Sequence, residues 1–422
     1  MKGIKSMKKT DNFLLTTFKD LVSKFNNKPK EEDYINDKFF NDELFIDIVE
    51  KAKVIKKYQI GYPINENFKL YDFYKWYNES GIANALLNNV GDPNVEGATN
   101  FGTFDIERKI IKTFAKFYGF DEDDVWGFIS TGGTDSNNHG IYYGRNYLKS
   151  ITKKEPILYV STESHYSNMR LAELQQIETR MIPTDEIGRM IPAEFKKALD
   201  NTRPALVVFS MGTTFKGGID DQKVLNIIIE KMNPPAVYRH VDAALFGGYL
   251  AFSDYSSLVD KSIYGYNSIS ISGHKFFGND EPCGLFFTTK EILKHQNPYN
   301  IAYLNGSVPT ISCSRSAISS LKIYYLIKKY GIAGFKRQAN RILENTAYLK
   351  SKLDEIGWPS WISCKESNTV FFKKPKESIM KKYYLAHEFD ERFGGDLAHI
   401  VVMQSVSKTI IDKFIDDISK EA

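Results

Sequence analysis

Four short runs carry residue types that could do chemistry. The first is Ser272-Gly273-His274-Lys275, directly after the apolar run SISIS. A lysine there is either a surface amine in a loop or, if partly desolvated, a nucleophile able to form an imine with a carbonyl. The second is His240-Val241-Asp242-Ala243-Ala244, in which Asp242 closes another apolar run. An acid so placed needs a cation or hydrogen-bond donors. A structural ion pair would serve, and so would the protonated nitrogen of a pyridine ring. The third is Ser130-Thr131-Gly132-Gly133-Thr134, between an apolar run and a helical pattern. Glycines there let backbone N–H groups face an anion at a helix start, although most such turns are only turns. The run is no P-loop, since no lysine follows the second glycine, and it lacks the G-x-G-x-x-G of dinucleotide folds. The fourth is Glu163-Ser164-His165-Tyr166, where His165 is either a hydrogen-bonded structural histidine or a ring that stacks on a flat ligand.

The elements that would position these runs can be read around them. Short apolar runs at 126–131, 156–161, 205–210, 236–244, 268–272 and 284–289 are predicted strands. Several are almost wholly apolar and are separated by helical patterns, which indicates a largely parallel sheet buried on both faces. Asp242 precedes Lys275 by 33 residues, about one strand–helix–strand unit. All four runs therefore fall at carboxyl ends of predicted strands, where open α/β sheets bind ligands. An anion cradle, a stacking ring, an acid for a ring nitrogen and an imine-forming lysine, in that order, describe a site for pyridoxal phosphate (PLP).

Outside this region, residues 11–60 read as helical, and 88–102 (NNVGDPNVEGATNFG) as a long irregular loop. A helix with Ile106, Ile110, Phe114 and Phe117 on one face is stopped by Gly119. Past residue 310 the texture changes. Helical segments at 315–330 and 334–355 lead to a predicted strand at Thr369–Phe372, a further helix, a strand at Ile400–Met403 and a last amphipathic helix through Ile410, Phe414 and Ile418. The expected division is a helical N-terminal segment (1–65), a large cofactor-binding domain (66–310) and a small α+β C-terminal domain (311–422).

Composition excludes several classes. The 422 residues are 42% hydrophobic and 26% charged, ordinary values for a globular chain of about two to three domains. Lysines and arginines (56) exceed acids (52) by only four, which gives no argument for a nucleic-acid or membrane partner. The basic N-terminus has no apolar stretch behind it long enough for a signal peptide, and no run of about 18 apolar residues could span a membrane. Three widely spaced cysteines (Cys283, Cys313, Cys364) fit neither a disulfide framework nor a metal site and suit a reducing cytoplasm.

The sequence resembles the group II PLP-dependent amino acid decarboxylases of fold type I, in the branch of bacterial histidine decarboxylases and plant serine decarboxylases. The matching runs are NVGDP (89–93), STGGTDSNNHGIYYGR (130–145), ESHYS (163–167), GTTFKGGIDD (212–221), HVDAALFG (240–247), SISISGHKF (268–276) and PCG (282–284), and the resemblance extends from about Gly61 to the C-terminus. It implies an α/β fold with a mostly parallel seven-stranded sheet flanked by helices, a smaller α+β C-terminal domain, and a homodimer whose active sites are shared. It also implies roles. Lys275 would hold PLP as an imine, Asp242 would keep the ring nitrogen protonated, and His165 and Ala244 would cover the two ring faces. Gly133, Thr134, Ser272 and His274 would hold the phosphate. Thr213 or Thr214 would sit near the ring substituents. Tyr303 would protonate the substrate carbon, and Ser367, in Ser367-Asn368-Thr369-Val370, would lie near the substrate. Asn89, in the loop 88–102, would belong to the substrate wall.

Two segments depart from the family pattern. Its G-x-P-x-P-C-G reads here Gly278-Asn279-Asp280-Glu281-Pro282-Cys283-Gly284, and its S-R-N-G-H reads Ser314-Arg315-Ser316-Ala317-Ile318. The expected reaction is loss of CO2 from a free L-amino acid, histidine first and serine second. The alternatives are a decarboxylating aldehyde synthase or a carbon–carbon lyase of the same fold, and a tyrosine rather than a phenylalanine at position 303 speaks for simple decarboxylation. A catalytically dead relative would be expected to lack Lys275 or Asp242, and both are present.

Overall fold

The computed structural model describes residues 43–95, 102–296, 299–304 and 306–420. The helix read in FLLTTFKDLVSKF lies outside the described residues. Two units can be distinguished. The first comprises residues 43–57 and 70–86 and holds the helices Glu43–Tyr58, except for its last residue, and Tyr71–Glu79. In the second of these helices Phe73 is buried and stacks on Tyr77 at 5.7–5.9 Å from its aromatic neighbours Tyr74, Trp76 and Tyr77.

The second unit carries the sheets. Its strands, in chain order, are β1 (Asn88–Val90), β2 (Val125–Ser130), β3 (Ile157–Ser161), β4 (Glu178–Ile182), β5 (Ala205–Ser210), β6 (Val237–Asp242), β7 (Ser268–Ser272), β8 (Gly284–Thr289), β9 (Tyr299–Ile301), β10 (Gly306–Val308), β11 (Ser314–Ser316), β12 (Ser360–Ile362), β13 (Thr369–Lys373), β14 (Ala386–Asp390) and β15 (Gly395–Val401). Seven of them form one sheet in the order β2-β8-β7-β6-β5-β3-β4, in which only β8 runs antiparallel to its neighbours. This is the expected mostly parallel α/β sheet.

Alternation along the central strands explains its burial on both faces. Ala205, Val207 and Phe209 of β5 enter one apolar cluster, and Leu206 and Val208 enter the other. Tyr159 of β3 goes with the first and Leu158 and Val160 with the second. Each fully buried Ile, Leu, Val or Phe stabilises the fold by about 1.5–3 kcal/mol relative to exposure, so the central strands anchor the site by burial alone. The seventh strand, β4, was not predicted. It is the sheet edge, and its sequence ETRMI buries only Ile182 fully, so it offers no apolar run.

The C-terminal region forms a four-stranded antiparallel sheet, β12-β13-β15-β14. One face packs Val370, Phe372, Ala398 and Ile400 against Ile411, Phe414 and Ile418 of the helix Lys408–Ser419. The other face seats Phe215, from the loop after β5, on Phe371 and Leu397. The two helical segments read at 315–330 and 334–355 are one element, Ala317–Glu355, broken at Gly331, whose φ of 58° is open to glycine at little cost. The strand predicted at Ile400–Met403 instead ends at Val401; Val402 and Met403 stay buried beyond the ladder. The loop read at 88–102 begins with β1, which pairs with β11.

Candidate active site

The carboxyl ends of the central strands collect the candidate residues. Asp242 is the last residue of β6, and Lys275 stands three residues past the end of β7. His165 caps the helix Tyr166–Leu174, which follows β3. Its Nδ1 accepts from the Ser167 backbone N–H at 3.4 Å, leaving the ring proton of the neutral form on Nε2. Burial lowers the His165 pKa; the Asp242 charge pulls it up and the Lys275 charge pushes it down. One imidazole thus feels both charges, which places the three groups in one electrostatic neighbourhood.

Lys275 is half-buried as a residue, yet desolvation of its amine lowers its pKa, against the opposing pull of Asp242. No carboxylate lies within salt-bridge distance of it among the described residues. Asp242 is 7% exposed and likewise has no salt bridge among them. Its carboxylate is held by neutral donors only: the Asn168 amide to Oδ2 at 2.8 Å and the Ala244 N–H to Oδ1 at 3.2 Å. A buried carboxylate facing no cation leaves room for one.

The glycine turn is built for close approach. A Cβ placed on Gly133 would come within 2.8 Å of Ser272 Oγ and 3.1 Å of Ala244 Cβ, whereas one on Gly132 would meet nothing within 4 Å. The start of the helix Gly133–Thr152 is therefore pressed between the ends of β6 and β7, beside an open space. Thr134 is exposed at this helix start. His274 is half-buried, its Nδ1 at 3.0 Å from the Cys283 carbonyl, and burial lowers its pKa.

Other predicted residues have partners within the chain. The Thr213 hydroxyl accepts from the Gly218 N–H at 2.7 Å, inside its own loop, and Thr214 is exposed. Ser367 is buried against that loop: a Cβ on Gly217, whose φ is 67°, would lie 2.6 Å from Ser367 Oγ. The Asn89 side chain is turned to Glu107 and Thr103. Both protons of its amide are spent, on Glu107 at 2.9 Å and Thr103 at 3.2 Å, and its oxygen accepts from the Thr103 N–H at 2.7 Å. Glu107 is in turn paired with Arg315, fully buried side chains both. Arg315 therefore serves its own chain's interior. The backbone of Tyr303 lies in the short turn Ala302–Leu304, between β9 and β10; its side chain lies outside what is described.

Sequence reasoning missed Asn168 and the ionic cluster around Lys216. Asn168 was signalled by its spacing: three residues after His165, it shares that face of the helix start. Lys216 is fully buried and bonds Glu163 Oε1 at 2.8 Å and Asp390 Oδ2 at 2.5 Å, and Arg392 contacts both acids at 2.7 Å. No local pattern foretells partners 53 and 174 residues apart.

Beneath the site, His240 is fully buried between Ser268 Oγ (2.8 Å) and Asn137 Oδ1 (2.9 Å), and burial pushes its pKa down to about 4. The unfolded chain takes up this proton near pH 6.5, so between pH 6.5 and 4 the unfolded state binds more protons and stability falls on acidification. The loss attached to this one residue is about 3 kcal/mol across that window, at most about 1.4 kcal/mol per pH unit. Urea unfolding at stepped pH should show His240→Gln with a correspondingly flatter profile; an unchanged slope would reject the assignment.

These features fit PLP: a cradle without a side chain, a buried carboxylate lacking a cation, and a desolvated amine. In addition, the hydroxyls of Ser161 and Ser210, the last residues of β3 and β5, are buried without a hydrogen-bond partner among the described residues. Among those residues no group of three or more His, Cys, Asp or Glu side chains could hold a metal ion.

Comparison with known proteins decides the family. The pyridoxal-dependent decarboxylase conserved domain matches residues 142–374, more than half of the chain. The chain belongs to this family. The decarboxylase is 31% identical to the histidine decarboxylase of Solanum lycopersicum, over 93% of this chain and 92% of that protein. It is 33% identical to serine decarboxylase 3 of Oryza sativa subsp. japonica, over 85% of this chain and 77% of that protein. A histidine decarboxylase of Vibrio campbellii is 30% identical, over 86% and 90% respectively. Among solved structures, L-methionine decarboxylase from Streptomyces sp.590 superposes with a TM-score of 0.76 at 20% identity, covering 93% of this chain and 97% of that one. Sphingosine-1-phosphate lyase of Burkholderia pseudomallei reaches 0.74 at 17% identity, covering 94% of this chain and 92% of that one. These two likenesses speak for the fold. The decarboxylase is thus a PLP-dependent enzyme acting on an amino acid.

Proposed function

We propose that the enzyme converts free L-histidine to histamine and CO2, with serine, giving ethanolamine, as the second choice. In either case the bond from Cα to the carboxylate breaks, its electron pair stays on Cα, and one proton takes the place of CO2. PLP, when bound, supplies a protonated aromatic ring that accepts the developing charge. The chain supplies the remainder. Lys275 offers an amine whose lowered pKa keeps a larger neutral fraction available to hold the cofactor. Asp242 would present its carboxylate to the ring nitrogen, while His165 and Ala244 would cover the ring faces. Gly133, Thr134, Ser272 and His274 take the phosphate, and Thr213 stands beside the ring substituents. Ser367 and Asn89 bound the substrate side, Asn89 through the Glu107 network that holds β1 in place.

The observation that carries histidine over serine is coverage. The tomato histidine decarboxylase aligns along 92% of its own length, the rice serine decarboxylase along 77%. The test is to incubate the purified holoenzyme with each of the twenty amino acids and measure CO2 and amine. Histidine should turn over fastest; faster serine turnover would reverse the order, and no amine from either would overturn the reading.

In the same reading Tyr303 delivers the proton to Cα. Tyr303→Phe removes only a hydroxyl and should cut amine formation by about 10²-fold, diverting part of the flux to oxygen-dependent aldehyde or to pyridoxamine phosphate. An unchanged rate and amine yield would withdraw the assignment. The reading also takes the protein as a cytoplasmic homodimer, divided into residues 1–65, 66–310 and 311–422, with sites shared between subunits. The segment offered to a neighbour is the loop Ser307–Arg315, of which the Arg315 side chain is itself paired with Glu107 of its own chain. A sedimenting monomer with full activity would refute the shared site.

A further inference from the structure

Asn168 is fully buried in the first turn of the helix that His165 caps. Its amide nitrogen has two protons. One goes to Asp242 Oδ2 at 2.8 Å, the other to Ser164 Oγ at 2.9 Å. Its Oδ1 is buried and has no partner among the described residues. Turning the amide over would set Oδ1 against Asp242 Oδ2, acceptor against acceptor, so the orientation is dictated by the carboxylate. An apolar residue of the same shape would avoid the orphaned oxygen, but it would strip Asp242 Oδ2 and Ser164 Oγ of the donor they share.

The acid that Asn168 serves has the same need from the other side. Asp242 is buried with no salt bridge among the described residues, and its two donors address different oxygens: Asn168 takes Oδ2 and the Ala244 N–H takes Oδ1. Two donors on two oxygens fix the plane of the carboxylate. Without the amide, Oδ2 would lose the donor that sets that plane.

We propose that Asn168 is a positioning residue for the decarboxylation, holding the Asp242 carboxylate oriented toward the cofactor's ring nitrogen. The inference rests on the reading that Asp242 takes that nitrogen. It assigns the helix Tyr166–Leu174 two jobs from one turn: His165 for the ring face and Asn168 for the acid beneath the ring nitrogen.

The experiment is a double-mutant cycle on the full chain with Asn168→Leu and Asp242→Asn, reading PLP dissociation, the absorption spectrum of the bound cofactor, and kcat and KM separately. Asn168→Leu should weaken PLP retention about tenfold, shift the absorption band, and lower kcat with KM little changed. In the Asp242→Asn background the same change should add almost nothing, because the partner it acts through is gone. The proposal is overturned if Asn168→Leu leaves retention and spectrum unaltered while Asp242→Asn impairs both, or if the two effects simply multiply. If Asp242→Asn itself changes neither, it is the assignment of Asp242 that fails. Should the leucine variant fold poorly, isosteric Asn168→Asp replaces it. This variant sets a second carboxylate against Asp242, and it should lose PLP more severely than tenfold; retention equal to the parent would likewise overturn the proposal.

Discussion

Replacing Lys275 by alanine is expected to abolish covalent attachment of PLP and, with it, most of the amine formation. The reason for singling out this lysine is its surroundings. Three described lysines have desolvated amines. Lys216 and Lys322 are each held by two carboxylates. Lys275 has no salt bridge among the described residues, and burial lowers its pKa despite the attraction of Asp242. A neutral amine is a nucleophile, and an ammonium in a salt bridge is not. The purified parent should show an absorption band near the visible edge and should trap cofactor on the chain when treated with borohydride. The alanine variant should do neither, while PLP added in excess should still be held weakly by the phosphate cradle. A borohydride-trapped adduct persisting in Lys275→Ala, mapped to another peptide, would sink the assignment.

How much of this was legible beforehand follows from what each residue depends on. The strands β2, β3, β5, β6, β7 and β8 could be read because burial on both faces demands runs of apolar residues, and the Lys275, Asp242, His165 and Gly133 positions were fixed relative to those runs. The edge strand β4 and the half-buried strands β12 and β14 carry mixed sequences, since one side of each meets solvent or loop. At β15 the apolar run outlasts the ladder. Val402 is buried and its N–H bonds the Asn368 carbonyl at 2.7 Å, so burial continues where strand pairing stops. Asn89 shows the opposite failure. Its place in a Gly- and Asn-rich segment reads as loop, but its neighbours pair with β11 and its amide is saturated by Glu107 and Thr103. Burial of a polar side chain with all its bonds made leaves no periodic trace in a sequence.

The Lys216 cluster is the clearest case of a feature that only the folded chain discloses, and its disruption carries the largest expected loss of stability. Lys216 lies in the loop after β5, Glu163 two residues before His165, and Asp390 at the end of β14 in the C-terminal sheet. Three segments that carry candidate site residues or their supports thus meet at one ammonium. Arg392 holds both acids from a half-exposed position and is the largest cause of the lowered Asp390 pKa, with Lys216 contributing further. Lys216→Met keeps the length of the side chain and removes its charge. Glu163 and Asp390 would then share a solvent-screened arginine alone, and Glu163 Oε2 is already buried without a partner among the described residues. Removing one member of a buried pair typically costs about 3–5 kcal/mol, because the remaining charge stays desolvated. Urea unfolding of the apo-protein near neutral pH should show a loss of that size. The triple variant Lys216→Met/Glu163→Gln/Asp390→Asn should recover part of it, since neutral amides need no counter-charge. Loss of PLP affinity should accompany the single change, because Thr213 and His165 sit on the segments that Lys216 joins. A single variant that unfolds within about 1 kcal/mol of the parent would mean that the arginine suffices as counter-ion and that the lysine is not what fastens the two sheets together.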